Sequence, residues 1–227
     1  METSSVTEGL LPFAEFQTWF RIRGGKGQKV PLVVIHGGPG STHHYLDSLG
    51  AIAATGRPVI HYDQIGNGAS SKTHDKGAEF WGVDLFLQQL NALLESLRIQ
   101  DRYALLGHSW GGMLAAEHAA THPPGLRALI LANAPSSMAL MAQGVGALRA
   151  ALPPEARATL DRQERAGQMD SPDFLAAARV FYDRHVCRVP RPPEVDRSFE
   201  LMDAYPTVYR AMNGPTEFTI TGSLRTW

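Results

Sequence analysis

A single cysteine, Cys187, stands in 227 residues. One thiol forbids an internal disulfide, so the fold must rest on a hydrophobic core, and such sparing use of cysteine suits a reducing compartment. An excess of one charge is missing too: 21 Lys+Arg face 22 Asp+Glu, for a net charge of -1, and no basic run is clustered. The chain therefore lacks the electrostatic footprint of a nucleic-acid or anionic-membrane binder. No apolar stretch approaches the roughly 20 residues needed to cross a bilayer. The opening METSSVTEGLLPF has neither the basic segment nor the long apolar segment of a secretory signal. A cytoplasmic protein is expected, with no nucleic-acid partner and no membrane partner. Internal repeats and low-complexity tracts are also missing.

What is present is ordinary globular material, 44% hydrophobic and 19% charged, long enough to bury a substantial interior. Strand-like and helix-like segments alternate over residues 1 to 138, the signature of a sheet with crossover helices. FQTWFRIR, closed by Gly24 and Gly25, reads as an early antiparallel strand. LVVIH (32 to 36), PVIHYD (58 to 63), YALLGH (103 to 108) and LRALILANA (126 to 134) read as parallel strands buried on both faces. Phe86, Leu90, Leu93, Leu94 and Leu97 share one face at helical spacing, with Asp84 near the helix start, which predicts a crossover helix on the sheet. Composition shifts near residue 139. From there to about 214 the chain is rich in Ala, Arg, Met and Pro, and breakers such as Pro153 and Pro154 predict several short helices.

The strongest chemical signal is Gly107-His108-Ser109-Trp110-Gly111-Gly112, a G-x-S-x-G run between the YALLGH strand and the helical MLAAEHAATH. Small glycines allow a sharp, strained strand-to-helix turn that lifts a serine hydroxyl above the sheet, so Ser109 is the candidate nucleophile. A competing reading makes Ser109 a helix cap in a glycine-rich turn. A second loop, His36-Gly37-Gly38-Pro39-Gly40-Ser41, follows the LVVIH strand and is expected to meet the first above the sheet. A tetrahedral intermediate needs two preorganised N–H donors, each worth about 3 kcal/mol of barrier; Gly38 and Trp110 are the candidates. A phosphate-loop reading of these glycines fails, because no Gly-Lys-[Ser/Thr] follows and no G-x-G-x-x-G is completed.

Four motifs together resemble a known family, the proline iminopeptidases and related amino-acid amidases of the α/β-hydrolase fold. They are HGGPG at 36 to 40, DQIGNGAS at 63 to 70, GHSWGG at 107 to 112 and NGPTEF at 213 to 218. The resemblance runs from about residue 8 to Trp227. It implies a mostly parallel α/β-hydrolase sheet with a helical cap insertion, lacking the last strands. The core's first part would be 1-138, the cap 139-214, and 215-227 a return to the core. The implied activity is that of a serine hydrolase releasing N-terminal residues, proline among them, from small peptides, or hydrolysing amino-acid amides. Glu217, in the family's N-G-P-x-E-F motif, would hold the substrate's free α-amine, since an ammonium taken out of water needs a counter-charge. The competing reading leaves Glu217 a solvated carboxylate. Asp63 and Gln64 are expected to shape their loop.

In this fold the chain order is Ser, then an acid, then His. The family continues past NGPTEF with two further strands that carry the acid and the histidine, so catalysis is expected to need a C-terminal segment or a complementing chain. The histidines present serve poorly. His118 and His122 would lie roughly 13 and 20 Å along the helix leaving Ser109, at about 1.5 Å rise per residue. His185 falls in the cap, and His36 and His108 are expected to point where sheet and helix pack, away from the serine. His118 and His122, with His43 and His44, are expected at the surface, because no H-E-x-x-H and no third ligand accompanies them. Cys187 is expected to be a small buried hydrophobe. No cofactor and no metal are implied. An unpaired LRALILANA edge is expected to invite self-association. Two alternatives stay open: a non-catalytic hydrolase-like protein that binds amino-acid derivatives, and an esterase or lactonase using the same serine. A Glu217 lining the pocket would favour free-amine substrates over esters.

Overall fold

The computed structural model describes residues 5–25, 28–73 and 75–227. Among the described residues six strands form one mixed sheet: β1 (Val6–Phe13), β2 (Phe16–Arg23), β3 (Leu32–Ile35), β4 (Val59–Tyr62), β5 (Tyr103–His108) and β6 (Leu126–Ala132). Their order is β1-β2-β4-β3-β5-β6. The β1–β2 and β2–β4 pairs are antiparallel, whereas β4, β3, β5 and β6 run parallel. The FQTWFRIR run is thus the antiparallel β2, and the apolar runs after it form the parallel centre. Strand alternation splits their side chains between two cores. Val33, Ile35, Ile60, Tyr62 and Leu105 pack on one face with Phe86, Leu90, Leu93 and Leu94 of α1 (Val83–Ser96) and with Met113 and Leu114 of α2 (Trp110–Ala120). Leu32, Val34, Val59, Ala104 and Leu106 pack on the other, under Leu46 and Ala53 of the 3-10 segment His43–Thr55.

After β6 the chain forms α3 (Met138–Ala150), α4 (Pro154–Arg165), α5 (Pro172–His185), α6 (Pro193–Ala204) and α7 (Thr207–Met212). Proline opens α4, α5 and α6, where its fixed φ suits the first turn and its missing N–H costs nothing. Ser171 caps α5 by accepting from the Phe174 amide at 3.2 Å. Leu152, Leu160, Phe174 and Phe181 give α4 and α5 a small core of their own. Polar contacts tie this helical segment to the sheet loops: Ser198 Oγ lies 3.1 Å from Thr42 Oγ1 and accepts from the Tyr45 amide at 3.2 Å, and Asn67 Nδ2 donates to the carbonyl of Tyr205, just past α6, at 3.1 Å.

One expectation about the sheet is corrected. LRALILANA does form a parallel strand, but β6 is not buried on both faces; Leu129, Ile130 and Leu131 are exposed. β6 is the outermost strand, bonded on one side to β5, and α2 covers only part of it. Among the described residues no helix is long and apolar enough to cross a membrane.

Candidate functional site

Ser109 sits between the last residue of β5 and the first of α2, at φ 55° and ψ -124°. Residues with a Cβ rarely adopt this conformation, at a cost of about 1–3 kcal/mol, and it persists only where the surroundings hold it. Here they do. The Ser109 amide donates to the Ala132 carbonyl of β6 at 2.9 Å, and its own carbonyl accepts from Gly112 and Met113 at 2.8 and 3.2 Å as α2 begins. The flanking glycines are required by close approach: a Cβ on Gly107 would collide with the Gly111 carbonyl, and one on Gly111 with the Ile35 carbonyl. The helix-cap reading of Ser109 fails, because its side chain makes no cap hydrogen bond.

The glycine loop after β3 lies directly against this turn. A Cβ built on Gly37 would stand 3.0 Å from Ser109 Cβ. Gly38 has φ +113°, open to glycine, and shares two cavity walls with Ser109. The loop is anchored from beneath by His36, Asp63 and Gln64, all buried. The Gln64 amide donates to His36 Nε2 at 3.0 Å, so that nitrogen is unprotonated and the ring proton sits on Nδ1, 3.0 Å from the Gly37 carbonyl. Burial lowers the His36 pKa and keeps the ring neutral, in agreement with this tautomer. Asp63 accepts from the His43 amide at 2.9 Å, the His43 ring at 2.8 Å and the Ala69 amide at 2.9 Å.

Above Ser109 is a cavity of about 250 Å³ whose walls come from both the sheet loops and the helices that follow β6. Gly38, Tyr45, His108 and Ser109 form its floor, while Val195, Phe199 and Met202 give it an apolar side. Glu217 lines it too, and with Gly38 and Ser109 it also bounds a smaller recess of about 30 Å³ walled by Met113, Met138 and Met141. The turn that carries Glu217 is fixed at both ends. Asn213 accepts from Thr221 and Gly222 at 2.9 and 3.0 Å through its carbonyl and donates from Nδ2 to the Thr216 carbonyl at 3.1 Å. Phe218 meets the Phe181 ring edge-on at 4.9 Å. Burial raises the Glu217 carboxyl, and the Tyr209 hydroxyl beside it partly opposes that rise. Among the described residues no Lys, Arg or His is ion-paired with it. Glu217 is thus a half-buried side chain of the cavity wall and not a freely solvated one.

The structure corrects several placements of other residues. His108 does not point into the packing between sheet and helix; it lines the cavity beside Ser109, with Nδ1 2.9 Å from the Tyr45 hydroxyl. That hydroxyl already accepts from the Gly37 amide at 2.7 Å, so its proton is directed to His108. Burial lowers the His108 pKa, in keeping with a neutral acceptor ring. His43 and His118 are buried, not superficial. His43 is stacked between Trp19 and His44 with ring centroids 4.2 and 4.1 Å apart, and His118 is bonded to the Tyr103 hydroxyl. Cys187 is partly exposed in the cavity wall, not a buried packing residue. His185 packs on Phe181 away from the cavity. Sequence reasoning missed Tyr45 and Tyr209 entirely, since neither belongs to a motif and each reaches the site only through three-dimensional convergence.

Comparison with known proteins accounts for this arrangement. Residues 30–220 match the family model described as alpha/beta hydrolase fold. A proline iminopeptidase of Lactobacillus helveticus (strain DPC 4571) is 37% identical over 224 residues, covering 96% of this chain and 74% of the relative. Among solved structures, VinJ superposes with a TM-score of 0.95 at 47% identity, over 97% of this chain and 75% of that one. A proline iminopeptidase of Mycobacterium smegmatis gives a TM-score of 0.88 at 46% identity, with the same coverage. The chain thus spans about three quarters of the length of these relatives. The alignments span almost the whole chain and accompany a near-superposable backbone, which places the chain in the proline iminopeptidase family of the α/β-hydrolase fold.

Proposed function

We propose that this protein is a serine hydrolase of the proline iminopeptidase type, acting on substrates with a free α-amine: the N-terminal residue of a small peptide, or an amino-acid amide. The observation that carries this reading is that a strained Ser109 and a cation-free, half-buried Glu217 face the same cavity. A carboxylate taken out of water without a partner is costly, and a substrate ammonium relieves that cost. An ester with no charge to offer would leave it unrelieved, so the placement of Glu217 favours free-amine substrates over the esterase and lactonase alternative.

In this reading Ser109 Oγ attacks the scissile carbonyl while the Gly38 and Trp110 amides donate to the developing oxyanion. The C–N bond breaks to release the leaving amine, and water then hydrolyses the acyl-enzyme. The serine proton needs a base. His108 is engaged with Tyr45, not with a carboxylate, and His36, His43 and His118 are each held in buried networks. The base in this proposal is a histidine brought to Ser109 from outside the cavity wall, on a further segment or a complementing chain.

Two measurements on the purified chain test the proposal. Calorimetric titration is expected to show binding of prolinamide or alaninamide, no binding of the N-acetylated amides, and at least tenfold weaker binding (about 1.4 kcal/mol) in Glu217→Gln. Intact-mass detection of a fluorophosphonate adduct, with Ser109→Ala as the control, reads nucleophile activation. A folded chain that binds the amides without forming the adduct places the base elsewhere, as proposed. A folded chain that neither binds nor reacts overturns the proposal.

A further inference from the structure

We infer that Gln64 is a positioning residue that holds both oxyanion donors in one frame, linking the loop of Gly38 to the indole of Trp110 through a single carboxamide. This rests on the serine-hydrolase reading above. Gln64 is buried, and its Nε2 donates to the His36 carbonyl at 2.9 Å while its Oε1 accepts from the Trp110 indole N–H at 2.8 Å. Its own amide donates to His36 Nε2 at 3.0 Å. His36 begins the loop that presents Gly38, and Trp110 is the residue whose backbone N–H follows the nucleophile. The two candidate donors thus reach the site from different strands, and Gln64 bonds directly to both segments.

The anchor is itself immobilised. Gln89, buried on α1, accepts from the Ile65 amide at 3.1 Å and donates to the Asp63 carbonyl at 3.3 Å and to Thr18 Oγ1 at 2.9 Å. Ser70 Oγ also donates to the Asp63 carbonyl, at 2.6 Å. The backbone on either side of Gln64 is therefore fixed to a core helix and a core strand. On the far side the Trp110 ring is buried and meets Phe86 edge-on at 5.8 Å. Only a carboxamide of this length offers one acceptor to the indole and one donor to the carbonyl at once. A Glu at position 64 would keep the acceptor but set a carboxylate oxygen against the His36 carbonyl; a Met would lose both arms. Preorganised donors are effective because they need no reorganisation when charge develops, so loosening either one acts on the transition state more than on substrate binding.

Gln64→Met and Gln64→Glu, each in the full 227-residue chain, are compared with the unaltered protein by NMR and by kinetics. The expected result in both variants is that the Gly38 and Trp110 amide order parameters leave the rigid range of about 0.85 while those of α1 stay within it. Exchange of the Trp110 indole proton is expected to accelerate at least tenfold in Gln64→Met and much less in Gln64→Glu, which retains its acceptor. Where arylamide turnover is measurable, kcat is expected to fall at least tenfold with KM within twofold. Unchanged order parameters at Gly38 and Trp110 in both variants overturn the inference, and so does a uniform loosening that includes α1, which would mark Gln64 as merely structural. The NMR readout needs no turnover, so a folded unaltered protein that neither binds the amino-acid amides nor reacts counts against the serine-hydrolase reading and leaves the positioning result standing.

Discussion

The Asp63 carboxylate lies 2.8 Å from the ring Nδ1 of His43, and neither side chain has appreciable contact with water. The same carboxylate also accepts from two backbone amides, those of His43 and Ala69. Asp63 therefore clamps the start of the 3-10 segment, just past the HGGPG loop, to the DQIGNGAS loop. Burial alone would raise its pKa, but the hydrogen bonds it accepts from the His43 ring and the Ala69 amide bring it below the usual carboxylate value. Asp63→Ala leaves a buried imidazole and two amides without their acceptor, and is expected to cost about 3 kcal/mol or more. For a chain of this size that is a fall on the order of 10 °C in Tm, read by circular dichroism. A change within 2 °C would show that the clamp contributes nothing.

Buried neutral histidines set the response to acid. His61, fully buried with Nε2 donating to the Leu46 carbonyl at 3.0 Å, has its pKa lowered by burial from 6.5 to about 4, and burial lowers His36 as well. A histidine whose folded pKa is depressed binds its proton more readily in the unfolded chain between the folded and unfolded values. Stability is then full above about pH 6.5 and is lost as pH falls toward 4. For His61 alone the loss is on the order of 3 kcal/mol. Urea unfolding between pH 7 and pH 4.5 should give a declining midpoint, starting well above the range where carboxylates titrate. A flat profile down to pH 5 would contradict it.

Affinity for an amine ligand should follow the ionisation of Glu217. Its carboxyl is raised above 4.5 by burial, with Tyr209 partly offsetting the shift. The protonated form offers no charge to an ammonium, so binding of alaninamide should strengthen as pH rises through the raised value, then level off. Because ligand binding stabilises the charged carboxyl, the complex should take up fewer protons than the free protein over the same range. Calorimetry in buffers of different ionisation enthalpy measures that proton release directly. A release of zero at pH values where the free carboxyl is partly protonated would remove Glu217 from the amine site.

How far the site could be read in advance depended on whether its residues are neighbours in the chain. Ser109, its glycines and the loop of Gly38 announce themselves because a strained turn and a close backbone approach require small residues at fixed offsets. β3, β4 and β5 were equally legible, since strands covered on both faces need continuous apolar runs. LRALILANA shows the limit of that rule: its composition suits a covered strand, yet Leu129, Ile130 and Leu131 are exposed, because cover depends on neighbours outside the run. His43 and His118 looked like surface residues because nothing local reveals that Asp63 and Tyr103 wait 20 and 15 positions away. The same holds for Tyr45 and His108, whose bond spans 63 positions.

The exposed strand leads to a prediction about assembly. β6 is the last strand of the sheet on its side, so its outer N–H and C=O groups have no ladder among the described residues, and Ile130 and Leu131 are 46% and 50% exposed. Such an edge, apolar and without an inward charge in its central run Ala128 to Leu131, is a template for pairing with another chain. The 227-residue chain is therefore expected to self-associate with rising concentration, as measured by sedimentation velocity. Ile130→Lys places a charge on that surface, as natural edge strands do, and should shift the distribution toward monomer without lowering Tm by more than about 2 °C, because the side chain is already largely outside the core. If the unaltered chain sediments as a single monomeric species at every concentration tried, the edge is not a contact surface. If it associates but Ile130→Lys has no effect, association runs through a different face. Arg127→Glu at the start of the same strand serves as the charge control, since it changes sign near the edge without adding a charge to the apolar run.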